Sequence, residues 1–442
     1  MICVGIISLG CAKNLVDTEV MLGLLGTAGY AITSDPGSAD VLVINTCAFI
    51  TPAQRESIAA ILEAARYREE GRLKALVVAG CLAQRHGRAL LQEMPEIDAL
   101  VGTGRVGEVV AAVTGALAGE KPVLLGPPGL PSGTAPRLLT TPPYLAYIKI
   151  AEGCSNRCSF CIIPQLRGPY RSRCREEILA EARSLSAQGV KEVVLVAQDT
   201  TRWGLDLYGR PDLPVLLQEV ARLEGLRWVR LLYAYPTGIS DELLGVMAEE
   251  EKVCNYLDIP LQHVSPRLLR AMKRPVVDVP GLVRRVRAAV PGVTLRTTFI
   301  VGFPGETAAD FALLAATVRE CGFDRVGIFP YFREEGTEAA ALPEQVPWKE
   351  KRERLRQLRA LAREISLQRN REKVGREFLV LVEGKKGRRF YGRSEADAPE
   401  VDGKVYFTAR EALAPGTFVR VRVSRAQPYD LIGEMTGIPE VP

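Results

Sequence analysis

Residues 144–161 read YLAYIKIAEGCSNRCSFC. The apolar run 144–150 has the look of a buried strand. Three cysteines follow it at once, Cys154, Cys158 and Cys161, with three and then two residues between them. In a βα barrel the residues just past the strand C-termini line the active face, so this loop is expected there. A structural zinc site takes four protein ligands and a catalytic one takes three plus water. A 4Fe–4S cluster takes one thiolate per iron, so three cysteines would leave one iron without a protein ligand. Unligated thiols, zinc and an iron–sulfur cluster all remain open on these residues, and the spacing favours the cluster.

The same strand pattern recurs downstream, in EVVLVAQ (192–198), RWVRLLYAY (227–235), NYLDIPLQ (255–262), VTLRTTFIVG (293–302) and RVGIFPY (325–331). Helix-like segments such as 176–189 and 281–292 separate most of these runs. Six βα units predict a partial barrel, short of the eight that close a full one. Upstream, VGIISLG (4–10), ADVLVINT (39–46), KALVVAG (74–80) and IDALVGT (97–103) alternate with periodic stretches at 14–30 and 54–67. That alternation predicts an α/β module with a doubly wound parallel sheet over residues 1–118. A Pro- and Gly-rich stretch, 119–142, is expected to be a linker, and 143–370 the barrel module. Residues 349–373 predict a charged helix whose apolar stripe, Leu355, Leu358, Ala362 and Ile365, packs on the barrel. Short strands at 377–384, 388–393, 403–409 and 416–423 predict a small antiparallel β-barrel of the oligonucleotide-binding kind over 371–438.

The composition is that of a soluble globular protein, 47% hydrophobic and 25% charged, with net charge +5. No stretch reaches the roughly 20 apolar residues of a membrane span, and MICVGIISLGCAKN lacks the features of a signal peptide. A cytoplasmic protein without a membrane partner is expected. In that compartment its ten cysteines are thiols or ligands rather than disulfides. Cys11, Cys47 and Cys81 each directly follow a predicted strand, and parallel strand ends share one sheet edge, where open α/β folds bind ligands. A second three-cysteine iron–sulfur site is therefore expected there. Cys3, Cys174, Cys254 and Cys321 read as ordinary thiols, and His86 and His263 as structural or surface residues.

CSNRCSFC resembles the C-x3-C-x2-C signature of radical S-adenosylmethionine (SAM) enzymes. The resemblance implies that the open iron is chelated by the methionine end of SAM, and that Phe160 lies near the adenine. IVGFPGE (300–306) resembles the SAM-contacting turn of that family, which implies contacts from Gly302, Pro304, Gly305 and Glu306. VAQDTT (196–201) departs from the family's Gly-Gly-Glu type motif, and Gln198 is expected to take the methionine amino group instead. With its N-terminal cysteines and a TRAM-like C-terminal barrel, the whole chain resembles the radical SAM methylthiotransferases. That implies two 4Fe–4S clusters, each on three cysteines. It also implies SAM as both methyl donor and radical source, and an external electron donor.

SLGCAKNLVD, KIAEGCSNRCSFCIIPQLRGPYRSR, VAQDTT and YLDIPLQH resemble the branch that modifies the β-carbon of an aspartate in small-subunit ribosomal protein S twelve. A sister branch modifies an adenosine of tRNA. Residues 371–442 carry 13 basic and 11 acidic residues, a weak excess for a domain gripping tRNA phosphates. RRFYGR (388–393) and RVRV (420–423) are expected to hold the substrate protein. A non-enzymatic iron–sulfur carrier or RNA-binding sensor would need closed clusters with four protein ligands, against which the two three-cysteine sets argue. No residue is singled out as an acid or base.

Overall fold

The strands of the first module are continuous Val, Ile and Leu runs, as strands covered on both faces must be. In the computed structural model, which describes residues 1–69, 71–127 and 135–439, they form one parallel sheet. Its strands are β1 (Cys3–Ser8), β2 (Ala31–Thr33), β3 (Val41–Thr46), β4 (Ala75–Gly80), β5 (Ala99–Val101) and β6 (Val123–Leu124), in the order β2-β1-β3-β4-β5-β6. Every residue of β3 and β4 is buried. Helices α1 (Ala12–Thr27) and α4 (Val109–Leu117) cover one face, placing Met21, Leu25 and Val113 on Val41, Val43 and Val77. Helices α2 (Thr51–Glu69) and α3 (Cys81–Glu93) cover the other, placing Ile61 and Leu82 on Leu42, Ile44 and Val78. The sheet is thus doubly wound, and its order reverses between β1 and β3, the position where such folds bind ligands. Strands β2 and β6 are additions to the sequence reading. β6 falls inside the stretch expected to be linker and pairs with β5; residues 128–134 of that stretch lie outside the described residues.

The second module begins with β7 (Leu145–Lys149). Two short strands, β8 (Ala151–Glu152) and β9 (Arg171–Ser172), pair antiparallel and bracket the cysteine loop. Strands β10 (Glu192–Val196), β11 (Trp228–Leu231), β12 (Tyr256–Gln262), β13 (Thr294–Val301) and β14 (Arg325–Pro330) complete the partial barrel. Its halves are β7-β10-β11 and β12-β13-β14, all parallel, joined through a Val229–Val253 bridge. The helix Trp348–Arg371 lays Leu358, Leu361, Ala362 and Ile365 on this core, with Leu355 partly buried.

The C-terminal strands β15 (Glu377–Lys386), β16 (Arg389–Ser394), β17 (Val405–Thr408), β18 (Phe418–Ala426) and β19 (Leu431–Gly437) close a barrel. Four of its pairings are antiparallel, but β17 and β19 run parallel, which corrects the all-antiparallel expectation at that pair. A second correction concerns RRFYGR. Arg393 does not face a partner: it is fully buried against the central barrel. Its Nη2 donates to Glu192 Oε2 at 2.6 Å and its Nε to Glu383 Oε1 at 2.6 Å. Arg230 Nε donates to Glu192 Oε1 at 2.8 Å. Arg420 and Arg422, by contrast, are exposed. Two further ion pairs, Arg325–Asp397 and Arg296–Asp402, both 2.8 Å, fasten the same interface.

Burial alone would raise the Glu192 carboxyl, but Arg393 and Arg230 outweigh it and hold its pKa below the ordinary value. Its contribution is therefore present above the unfolded pKa of about 4.3 and is lost as pH falls through the folded value. Glu192→Gln, which leaves two buried guanidiniums short of charge, is expected to cost about 3–5 kcal/mol at pH 7 in urea unfolding. The deficit should shrink in acid; a loss below about 1 kcal/mol, the level of a surface pair, would refute this role.

Candidate active site

Cys11, Cys47 and Cys81 follow β1, β3 and β4, three neighbouring strands, so the parallel topology brings them to one edge at the switch point. Two glycines make room for this. Gly10 has φ +93°, and a Cβ there would meet Cys47 Cβ at 2.8 Å and its Sγ at 3.2 Å. Gly80 has φ +88°, and a Cβ there would lie 2.3 Å from Asn45 Oδ1. Burial pushes the Cys47 thiol up to about 12, and the neighbouring Cys81 and Cys11 act in the same direction. Burial also raises Cys81. At Cys11, the most exposed of the trio, crowding by the protein acts upward, but the Lys13 ammonium and the Arg167 guanidinium outweigh it and the thiol is lowered.

The second trio occupies the loop between β8 and the short helix α5 (Ile163–Arg167). Cys154 N–H donates to Gly168 O at 3.0 Å, and Ser159 Oγ donates to Ala271 O at 2.7 Å, so the loop is pinned on both sides. Burial pushes Cys154 up to about 11 and Cys161 up to about 12, with the neighbouring Cys158 adding to both. Arg274 stands 3.8 Å from Cys158 Sγ and stacks on Tyr235 at 4.3 Å. Among the described residues no three His, Cys, Asp or Glu side chains converge on a point that one ion would fill. A cubane instead spreads its thiolates over separate irons. Cys47, Cys81, Cys154 and Cys161, pushed up by burial, need cationic charge to ionise, and iron bound at each sulfur would supply it. Both trios therefore fit iron–sulfur clusters.

Of the residues expected around SAM, Phe160 belongs to the loop of the second trio and meets Phe303 of the 300–306 turn in one apolar cluster. Phe160 packs, half-buried, on Leu268, Met272, Phe303 and Tyr331. Gln198 Nε2 donates to Glu152 Oε1 at 3.1 Å, which leaves its buried Oε1 without a protein partner. Gly302 and Gly305 have φ of +73° and +77° and flank the buried Pro304 in a tight turn after β13. The carboxylate of Glu306 is turned inward: it accepts from Gly302 N–H, pairs with Arg354 at 3.0 Å and meets His263 Nε2 at 3.5 Å. It shapes the turn from within. His263 is structural, its Nδ1 accepting from Ser265 N–H at 3.0 Å.

Between the trios lies a buried polar network that the sequence reading passed over. Lys149 Nζ pairs with Asp17 and donates to Glu152 Oε2 at 2.7 Å. Arg167 Nη1 donates to Glu152 Oε2 at 2.8 Å, and its Nη2 reaches Asn14 Oδ1 and, at 3.2 Å, Asp17 Oδ2. Asn14 Nδ2 in turn donates to Leu9 O and Thr46 O, next to Cys11 and Cys47. Asn14 and Asp17 belong to the N-terminal module, Lys149, Glu152 and Arg167 to the barrel. Ile162 and Leu166, on and before α5, bury themselves in the N-terminal core. The signal was in the sequence: a lysine inside an apolar strand demands a buried anion. A second latch joins the modules at Glu334, which accepts from Thr51 Oγ1 at 2.8 Å and Arg85 Nη1 at 3.0 Å.

Comparison with known proteins agrees with this three-module organisation. Residues 3–102 match the Uncharacterized protein family UPF0004, 148–318 the Radical SAM superfamily and 374–436 the TRAM domain. The chain is thus a radical SAM protein with an N-terminal cysteine-bearing sheet and a C-terminal TRAM barrel. It is 54% identical over 431 residues to ribosomal protein uS12 methylthiotransferase RimO of Desulforudis audaxviator, covering 97% of this chain and 96% of that one. It is also 54% identical over 437 residues to the RimO of Pelotomaculum thermopropionicum, covering 98% of each. The chain belongs to the RimO family of radical SAM methylthiotransferases. In fold alone it resembles the radical SAM methyltransferase TsrM from Kitasatospora setae, with TM-score 0.57, 18% identity and 76% of each chain covered.

Gly10 and Gly29 form a matched pair for a test, with φ of +93° and +88°, but no atom lies within 4 Å of a Cβ at Gly29. Gly29→Ala should cost about 1–2 kcal/mol of backbone strain and keep full iron. Gly10→Ala should in addition displace Cys47 and lose about half the reconstituted iron, read by iron assay after anaerobic loading. Equal iron in both variants would contradict the fit at the first trio.

Proposed function

We propose that the chain adds a methylthio group to the β-carbon of an aspartate in small-subunit ribosomal protein S twelve, in the cytoplasm and with an external electron donor. The carrying observation is the pair of three-cysteine sets, set at the ends of two parallel sheets and joined by one buried network. The full-length relatives named for uS12 support the substrate. Among the described residues no helix is long and apolar enough to cross a membrane. Cys154, Cys158 and Cys161 would hold one 4Fe–4S cluster with SAM at its open iron, and Cys11, Cys47 and Cys81 a second. When bound, these groups supply the electron, the methylthio group and the radical that an unactivated C–H bond requires.

The chain's own residues position them. The turn through Gly302, Pro304 and Gly305 lets backbone approach the cofactor closely, and Glu306 with Arg354 fixes its shape. Phe160 would flank the adenine. Glu152 holds the Nε2 of Gln198, so the amide presents Oε1, an acceptor suited to the methionine ammonium. The network of Asn14, Asp17, Lys149, Glu152 and Arg167 sets the separation of the two trios.

The cysteines separate the two chemistries. Reconstituted wild type should hold about eight irons per chain, and either triple Cys→Ala variant about half. Without Cys154, Cys158 and Cys161 no 5′-deoxyadenosine should form. Without Cys11, Cys47 and Cys81 SAM cleavage should persist while methylthio insertion stops. Incubation with the ribosomal protein, a peptide of its target loop and unmodified tRNA, read by mass spectrometry, tests the substrate. A methylthio gain on tRNA and none on the protein would overturn this reading.

A further inference from the structure

The first turn of α1 carries a buried cation that forms no ion pair with a carboxylate among the described residues. Lys13 is only 8% exposed. Asp17 and Glu152 are already engaged, since both pair with Lys149 and Arg167, and Asp258, under Tyr233, faces Arg296 at 3.6 Å. Among the described residues the Lys13 ammonium has no carboxylate partner. It rests instead on the ring of Tyr233, 3.6 Å from the centroid. A ring face offsets only part of the cost of burying an ammonium, so beside the Cys11 thiol the ammonium can take a directly hydrogen-bonded anion.

Tyr233 shows that the position is built. It has φ +61°, a backbone conformation that an aromatic residue adopts only when its surroundings impose it. Its N–H donates to Asp258 Oδ2 at 3.2 Å. Ala12, Leu15 and Val16 of α1 pack in the same apolar cluster as Tyr147 and Tyr233. Tyr233 lies just past the C-terminal end of β11, on the barrel's active face, and Lys13 two residues past Cys11. The ammonium therefore stands where the two cysteine-bearing edges meet.

We propose that Lys13 is the positioning and specificity residue that receives the side-chain carboxylate of the substrate aspartate. This rests on the reading that an aspartate side chain is the substrate. The carboxylate carbon is one bond from the β-carbon. Holding it at Lys13 leaves the β-carbon beside the first trio and facing the barrel. An asparagine amide or a nucleobase carries no charge for this ammonium to hold.

The test uses the reconstituted full chain and two peptides of the S twelve target loop, one with the native aspartate and one with asparagine in its place. Wild type should bind the aspartate peptide at least about tenfold more tightly than the asparagine one, as expected for a desolvated charge-assisted contact. Lys13→Met should abolish that preference, with the loss seen in KM, while both clusters keep their iron. Lys13→Gln should do the same, which covers a folding failure of the first variant, and Lys13→Arg should restore most of the preference. The inference is overturned if the uncharged variants still prefer aspartate. It is also overturned if they lose the iron of the first trio, since Lys13 would then be a counter-charge to that cluster. A wild-type enzyme that binds neither peptide and modifies no aspartate of the whole protein would overturn the substrate reading itself, and this inference with it.

Discussion

Two cations and two carboxylates, all nearly inaccessible to water, decide how this molecule is put together. Lys149 and Arg167 come from the barrel with Glu152, and Asp17 comes from α1 of the N-terminal sheet. Each carboxylate answers both cations, so the set is neutral as a whole and uncompensated if any member leaves. Burial alone would raise Glu152, but Arg167 and Lys149 hold it well below the usual carboxylate range. Breaking such a buried pair costs about 3–5 kcal/mol, a large share of a typical folding free energy of about 5–15 kcal/mol. The two modules cannot swing apart without exposing this charge. The edges that carry the cysteines are therefore held in fixed relation, as the proposed chemistry between two clusters would require.

The same solution recurs wherever modules meet. Glu334 joins the barrel to α2 and α3, and Glu192, between Arg230 and Arg393, joins it to the TRAM barrel. Buried ion pairs add less net stability than apolar packing would, but they tolerate only one arrangement. Specific relative placement is what a multi-site enzyme needs from its interfaces. The apolar contribution lies alongside, in Ile162 and Leu166 against the N-terminal core and in Phe418 edge-on to Trp228 at 4.8 Å.

The sequence made the main architecture legible because strands covered on both faces leave long apolar runs, and because parallel topology forces the ends of such runs to one edge. That logic joined Cys11, Cys47 and Cys81 across seventy residues without any local motif. Short strands escaped it. The edge strands β2 and β6 are only three and two residues long, β19 mixes apolar and polar residues between β17 and β18, and their pairing is decided by neighbours rather than by their own pattern. The inward turn of Glu306 escaped for a related reason: its partners, Arg354 and His263, are remote in sequence. The ion networks were missed because a charged residue in a sequence reads as solvated until its partner is seen. Arg393 shows the risk most plainly, since a basic stretch taken for a partner-binding surface proved to contain a buried clasp.

The central claim is that two separate three-cysteine clusters flank one buried network. Anomalous diffraction at the iron edge, from crystals of the anaerobically reconstituted protein, tests it directly. Two iron clusters are expected, one bound by Cys11, Cys47 and Cys81 and the other by Cys154, Cys158 and Cys161, with Asn14 and Arg167 between them. A single iron cluster, or one that draws cysteines from both trios, would contradict it.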